Sequence, residues 1–454
     1  MTNSKQNMSK ALNIAPLAAA LFGVAVQAGA QQKPNVVLII ADDFGYSDWS
    51  GNPHHSSEVN TPNLERLMRG GVFCTDGYVT AHISSATRAG LMTGMYQQRF
   101  GIYTAGEGGS GLDMNARIFP QYLKDAGYVT GQFGKWHLGP TIEWSPFKRG
   151  FDYQYGFLGR GAHDYFRLND PDDPIYRNDV PVNETGYLTD RLAEEVCGFI
   201  EKNKNKPFFA YLAFNAVHTP IQAPKADIAR YNTGDTTRNT LMAMGWRMDV
   251  AIGAIMEKLK KEKIWDNTII FFISDNGGAL PYKSQNKPLN GGKHTSYEGG
   301  IRIPFIVSWP ARLKPGVCHN PVIALDILPT VLAAVGIPVP KGTVFDGRDI
   351  MPFLLGKEQQ PDREFFWCGG SQDPWWAVRK GEWKVVSFRG TTQLFNLRED
   401  VSEKNDLAAV KPDMLQQLSA LHDGWLAQMK DPVSADNNKK WTSDAAPRQK
   451  KNQR

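Results

Sequence analysis

The chain has 454 residues, of which 41% are hydrophobic and 21% charged, with a formal net charge of +5. That apolar content excludes a disordered chain, and the length exceeds a small binding module and suits a large α/β enzyme. The positive excess is terminal. Lys5 and Lys10 supply +2, the segment from Lys439 to Arg454 supplies +5 through six basic residues and one Asp, and the body is left near −2 with no nucleic-acid motif.

Residues 1–30 combine Lys5 and Lys10 with an apolar stretch from Ala11 to Val26 and end on Ala28-Gly29-Ala30, which reads as a cleaved signal peptide leaving Gln31 as the new N-terminus. The apolar core is short and contains Asn13 and Pro16, so it does not read as a membrane anchor. The mature protein is expected in the periplasm or outside the cell, without stable membrane insertion. Next comes Asn35-Val36-Val37-Leu38-Ile39-Ile40-Ala41-Asp42-Asp43, an unbroken apolar run that predicts a strand buried on both faces. Thr61-Pro62 predicts a helix start, with Thr61 as N-cap, and Gly71-Val72-Phe73 a turn into a second strand. Ser84 is expected in a loop opening a helix that carries Arg88 and Leu91. Pro207 to Phe214 reads as another buried strand, with His218 just beyond it. Met242 to Lys260 reads as a helix leading into the run Thr268 to Ser274, which is followed by Asp275-Asn276-Gly277-Gly278.

After about residue 360 the texture changes. Trp375 to Val378, Trp383 to Phe388 and Leu394 to Leu397 read as short antiparallel strands, and Met414 to Met429 as a closing amphipathic helix. The basic end, 433–454, has almost no apolar content besides Trp441 and reads as a disordered tail. Cys74, Cys197, Cys318 and Cys368 lack C-x-x-C spacing and are not a zinc set; export would permit disulfides, and the spacing leaves their pairing open.

Ligands in open α/β sheets sit outside the carboxyl ends of the strands. If the two apolar runs are neighbours, Asp42, Asp43, Asp275 and Asn276 meet there, and three crowded carboxylates call for a cation. All-oxygen donors suit calcium or magnesium rather than zinc. Taken singly, each run also fits an ordinary strand whose Asp caps the next helix.

The segment Ser84-Ser85-Ala86-Thr87-Arg88-Ala89-Gly90-Leu91-Met92-Thr93-Gly94 resembles the signature of the sulfatases of the alkaline phosphatase superfamily: Cys or Ser, any residue, Pro, Ser, Arg, two residues, then Leu-x-Thr-Gly. Ala86 stands where the family has Pro, and Thr87 where it has Ser. Gly134-Lys135-Trp136-His137-Leu138-Gly139 resembles a further family block, as do His218-Thr219-Pro220 and the lysine loop Gly291-Gly292-Lys293 with Tyr297 to Pro304. The blocks follow the family's order from about residue 34 to about residue 410. Gly94 to Gly101 is similar to sulfatases of marine polysaccharide degraders, including carrageenan-active ones.

The resemblance implies an alkaline phosphatase-like α/β fold: a large mixed sheet sandwiched by helices over 31–358, and a smaller C-terminal antiparallel sheet plus helix over 359–432. It implies one Ca2+ per chain, held by Asp42, Asp43, Ser84, Asp275 and Asn276, and hydrolysis of sulfate esters on a sulfated carbohydrate of algal type. Ser84 would be oxidised to formylglycine by a maturation enzyme, here of the radical-dependent type that accepts Ser; the hydrated aldehyde attacks sulfur and then eliminates sulfate. Arg88 and Lys135 would hold the hydrate and the sulfate, and His137 would orient the hydrate and take its proton. His218 would protonate the leaving alcohol and Lys293 would bind a sulfate or bridging oxygen. His82 and His294, which the family does not share, are candidate pocket residues, as are Arg160, His163 and Arg167 in the loop-rich stretch from Glu143 to Tyr187. The alternatives are a phosphatase or phosphodiesterase of the same superfamily, whose second metal would need the space of Lys135 and Lys293, and an inactive calcium-dependent glycan-binding protein.

Overall fold

The computed structural model describes residues 33–104, 111–159, 161–369 and 375–433. The expected signal peptide, Arg160 and the basic tail beyond Val433 lie outside the described residues.

In chain order, β1 (Asn35–Ala41), α1 (Pro62–Arg69), β2 (Val72–Cys74), the two-residue β3 (Gly77–Tyr78), α2 (Ser84–Thr93) and α3 (Phe119–Asp125) come first. There follow β4 (Val129–Lys135), β5 (Tyr153–Phe157), the short β6 (Tyr176–Arg177) and β7 (Val180–Pro181), α4 (Leu188–Asn203) and β8 (Phe208–Ala213). Then come α5 (Lys225–Ile228), α6 (Thr236–Lys261), β9 (Thr268–Ser274), α7 (Glu298–Ile301), β10 (Phe305–Ser308), β11 (Gly316–Cys318) and β12 (Val322–Ile323). The C-terminal strands are β13 (Glu364–Gly369), β14 (Trp375–Lys380), β15 (Trp383–Phe388) and β16 (Thr391–Asn396), closed by a helix over Pro412–Leu426.

Ten strands form one mixed sheet in the order β11-β2-β10-β9-β1-β8-β4-β5-β6-β7, in which β9, β1, β8, β4 and β5 run parallel. The apolar runs are continuous because both faces are covered. Along β1, Val36, Leu38 and Ile40 enter one hydrophobic cluster while Val37, Ile39 and Ala41 enter the other, and β9 divides Ile269, Phe271 and Ile273 from Ile270 and Phe272 in the same way. Helices α1, α4 and α6 pack on the second face; α2, α3 and the C-terminal sheet share the first. Each of these side chains contributes about 1.5–3 kcal/mol by leaving water. No helix among the described residues is long and apolar enough to cross a membrane.

One local expectation is refined and three are corrected. Thr61 is the N-cap of α1 and Pro62 its first residue, as expected, but the Thr61 side chain makes no cap hydrogen bond. Its hydroxyl is held by Ser50, and Asp249 of α6 takes the first-turn amides of Asn63 and Leu64 at 3.1 and 2.7 Å. Helix α6 begins six residues before the expected Met242, because Asp235 accepts from the amides of Thr237 and Arg238. The C-terminal sheet has four strands in the order β13-β14-β15-β16, β13 preceding the three expected. The Glu143–Tyr187 stretch contains β5 and the short hairpin of β6 and β7 besides its loops.

Candidate active site

The site is assembled by strand register. Ala41 of β1 pairs with Ser274 of β9, so the next residues, Asp42 and Asp275, come side by side. Ile40 pairs with Ala213 of β8, and Ala213 with Gly134 of β4, which brings Lys135 and the chain after β8 to the same edge. The loop after β9 reaches the lysine loop only because Gly277 has no side chain: a Cβ there would stand 1.7 Å from the Gly299 carbonyl oxygen. Helix α2 begins at Ser84, whose Oγ meets Asp42, so the positive end of the helix dipole lies beside that carboxylate. Asp43 and His137 hold left-handed backbone angles, φ 59 and 57, which non-glycine residues adopt at a cost.

The residues expected in the site converge. Ser84 Oγ lies 3.1 Å from Asp42 Oδ1 and 3.3 Å from Asn276 Oδ1. Lys135 Nζ donates to Asp42 Oδ2 at 2.5 Å, and Lys293 Nζ to Asp43 at 2.8 Å. Arg88 donates twice to Asp275 Oδ2, at 2.7 and 3.1 Å, leaving Oδ1 of Asp275 for the Asp43 amide at 3.3 Å. Asn276 Nδ2 donates to Asp43 Oδ1, which turns its carbonyl oxygen to Ser84. His218 Nε2 is 3.7 Å from Asp43 Oδ2.

Asp42, Asp43, Asp275, Arg88 and Lys135 are buried, and Lys293 and His218 nearly so. Burial alone would raise the Asp42 carboxyl, but Lys135 and His218 outweigh it and hold it below the usual range. Burial lowers Lys135 against the pull of Asp42. For Lys293 burial is outweighed by Asp43 and Asp42, which raise it. His137 is kept neutral, well below its ordinary value, by burial and then by Lys135 and Arg88; its Nδ1 is buried with no partner among the described residues.

The donor set fits a hard divalent cation. Carboxylate oxygens of Asp42 and Asp43 lie within 4.8 Å of each other, with a His218 ring nitrogen equally near at the edge, and Ser84 Oγ and Asn276 Oδ1 add oxygen donors beside Asp42. Three carboxylates balance three cationic side chains, so a divalent ion would leave a net positive charge, suited to an anionic ester.

Two contributors carry no motif. Tyr211 on β8 places its hydroxyl 3.4 Å from Arg88 Nη1, and Tyr165 donates to the backbone oxygens of Asn215 and His218, at 2.6 and 2.9 Å, holding the His218 loop. A Tyr inside a fully buried strand needs a polar partner, which is the one sequence cue for Tyr211. Three other candidates are engaged elsewhere, and His294 stays within the charge field of Lys293, Asp43 and His218. His82 is buried, its ring centroid 3.6 Å from that of Trp375 on β14, and burial pushes it down to about 3. His294 stands 6.2 Å from the His82 ring. His163 is buried with both ring nitrogens on backbone oxygens, of Asp164 and Asp173, and Arg167 pairs with Asp170 at the surface.

A mixed α/β sheet whose carboxyl edge gathers a serine at a helix start, a buried acidic cluster and three cationic side chains fits a hydrolase of anionic esters. The chain belongs to the sulfatase family: the Sulfatase family model matches residues 34–337, and the model for the C-terminal part of N-sulphoglucosamine sulphohydrolase matches 292–430. It is a sulfuric ester hydrolase. It is 33% identical to the N-acetylgalactosamine-6-sulfatase of Canis lupus familiaris, over 82% of this chain and 75% of that one. It is 30% identical to the N-acetylgalactosamine-6-O-sulfatase of Bacteroides thetaiotaomicron, over 86% and 92%. The crystal structure of Ps i-CgsB in complex with k-i-k-neocarrahexaose superposes with a TM-score of 0.85 at 35% identity, covering 92% of this chain and 98% of that one.

Proposed function

We propose that the protein is an exported, calcium-dependent, formylglycine-type sulfatase that removes sulfate from sulfated oligosaccharides, algal galactans of the carrageenan type foremost. The observation that carries the reading is Ser84: it opens α2 with its Oγ against Asp42 and Asn276, between the cation site and the three cationic side chains. Asp42, Asp43, Asp275, Asn276 and the Ser84-derived group would hold the calcium, which supplies charge stabilisation to the nucleophile and to sulfate oxygens. Oxidation of Ser84 to the aldehyde by a radical-type maturation enzyme supplies a nucleophilic hydroxyl once hydrated, which the weakly acidic Ser hydroxyl does not. Arg88 and Lys135, fixed by Asp275 and Asp42, orient the hydrate and neutralise non-bridging oxygens. Lys293 binds at the rim of the same charge field. His137, held neutral, is in the state that accepts a proton, and His218, partly exposed at the edge, is placed to give one to the leaving oxygen. The glycan class is supported by similarity to the proteins named above, and export by residues 1–30.

Two measurements test this. A tryptic mass spectrum should show the Ser84 peptide about two hydrogens lighter in the active enzyme. Ion chromatography should show faster sulfate release from carrageenan oligosaccharides than from a simple aryl sulfate. An active enzyme with unmodified Ser84 overturns the nucleophile, and a preference for small hydrophobic sulfates overturns the glycan.

A further inference from the structure

The parallel pairing of β11 with β2 sets Cys318 directly opposite Cys74, 244 positions away in the chain. Register partners on neighbouring strands point to the same face, and both side chains enter the same hydrophobic cluster. Paired strands stand about 4.7–4.9 Å apart, inside the roughly 4.4–6.8 Å between Cα atoms that a disulfide spans. The two thiols act on each other's charge: Cys318 and burial hold Cys74 well above the usual thiol range, and Cys74 draws Cys318 down to about 7. As a thiol, Cys318 can also donate to the Asn320 carbonyl, at 3.9 Å. The other two cysteines sit elsewhere, Cys197 in α4 and Cys368 in β13.

The location gives such a pair a use. Strand β11 has three residues, terminates the ten-stranded sheet, and exposes Gly316 and Val317. A short edge strand held by few ladder bonds frays readily and leaves the next strand open to foreign pairing. We propose that Cys74 and Cys318 are a redox pair that closes to a disulfide and staples the edge strand β11 to β2 in the oxidising compartment reached by export, and this rests on the export proposed above. The oxidant is a disulfide, either a dithiol oxidase or glutathione disulfide. The Cys318 thiolate attacks it to form a mixed disulfide and expels one thiolate. Cys74 loses its proton and attacks the Cys318 sulfur, expelling the second. Two protons and two electrons pass from the protein to the oxidant.

The test uses the purified full chain and glutathione disulfide. Denatured thiol counting should fall from four to two, and a non-reducing digest should contain one Cys74–Cys318 linked peptide pair that dithiothreitol removes. The melting temperature should rise by roughly 5 °C on oxidation and return on reduction. Cys318→Ser should abolish the redox-dependent shift whatever its own starting stability, while Cys197→Ser keeps it. Four thiols after oxidation, or a link between another pair, overturns the proposal without touching export. A pair that closes in the tube, in a protein that fractionates with the cytoplasm, keeps the site and overturns the export on which its cellular role rests.

Discussion

Two buried charge clusters in this molecule have the same inventory and opposite uses. The active site sets Asp42, Asp43 and Asp275 against Arg88, Lys135 and Lys293. Between the large sheet and the C-terminal sheet, Asp76, Glu298 and Glu403 face Arg302, Arg379 and Lys384. In the second cluster the hydrogen bonds close on themselves. Lys384 Nζ reaches Glu298 at 2.8 Å and Glu403 at 2.9 Å, Tyr78 donates to Glu298 at 2.6 Å, and Arg302 and Arg379 share the two oxygens of Asp76. In the first cluster they do not close. His137 Nδ1 has no partner among the described residues, Ser84 Oγ sits among acceptors, and Lys293 and His218 keep an exposed edge. A satisfied network is a clamp, whereas one with open valences is a binding site. The two are joined through one segment, since Glu298 follows the loop that carries Lys293.

The comparison can be broken at either end. Ser84→Ala should abolish sulfate release, by about 10⁴-fold or more, and leave the melting curve within a degree or two of the parent; retained turnover would remove Ser84 from the chemistry. Lys384→Met should do the reverse. It strands Glu298 and Glu403 in the interior and should cost about 3–5 kcal/mol in denaturant unfolding, with turnover per folded molecule largely kept. His218→Ala should slow glycan sulfates by about 10²–10⁴-fold and spare activated aryl sulfates, because only the poor leaving group needs a proton; equal losses would leave His218 without the acid role.

A smaller effect sharpens the contrast through pH. Burial raises Glu403 to about 7, with Lys384 opposing and Glu298 adding to the rise. Above the unfolded carboxyl value near 4.5, the folded state therefore holds a proton that the unfolded state has released. Glu403 thus contributes stability that is present in acid and is lost as pH rises through about 7. Glu403→Gln should flatten this decline between about pH 5 and 7.5, an effect on the order of 1–2 kcal/mol in the wild-type-minus-variant difference. A difference independent of pH would place the proton elsewhere.

Much of the site was legible before any fold was known, and for a specific reason. In a parallel sheet covered on both faces, strands are continuous apolar runs, and functional residues lie one or two positions past their ends. Asp42 and Asp43 after β1 and Asp275 and Asn276 after β9 could therefore be read from local pattern alone, and Lys135 and the helix carrying Ser84 and Arg88 from their motifs. Local pattern failed where a group's partner is remote. Asp249 takes the Leu64 amide of α1 from 185 positions away, Arg379 meets Tyr78 across 301, and Tyr211 shows its use only once Arg88 is beside it. His82 and His163 looked like pocket residues because polarity in a sequence does not reveal burial; the packing of Trp375 and the carbonyls of Asp164 and Asp173 account for them. By itself the sequence determined the long buried strands β1, β8 and β9, the helix that begins at Ser84 and the chemical class of the site, because each is encoded in contiguous residues. The tertiary structure alone decided the register that joins Asp42 to Asp275, the closed charge network under the C-terminal sheet, and the Cys74–Cys318 pairing, because these depend on which distant segments share an edge or a face.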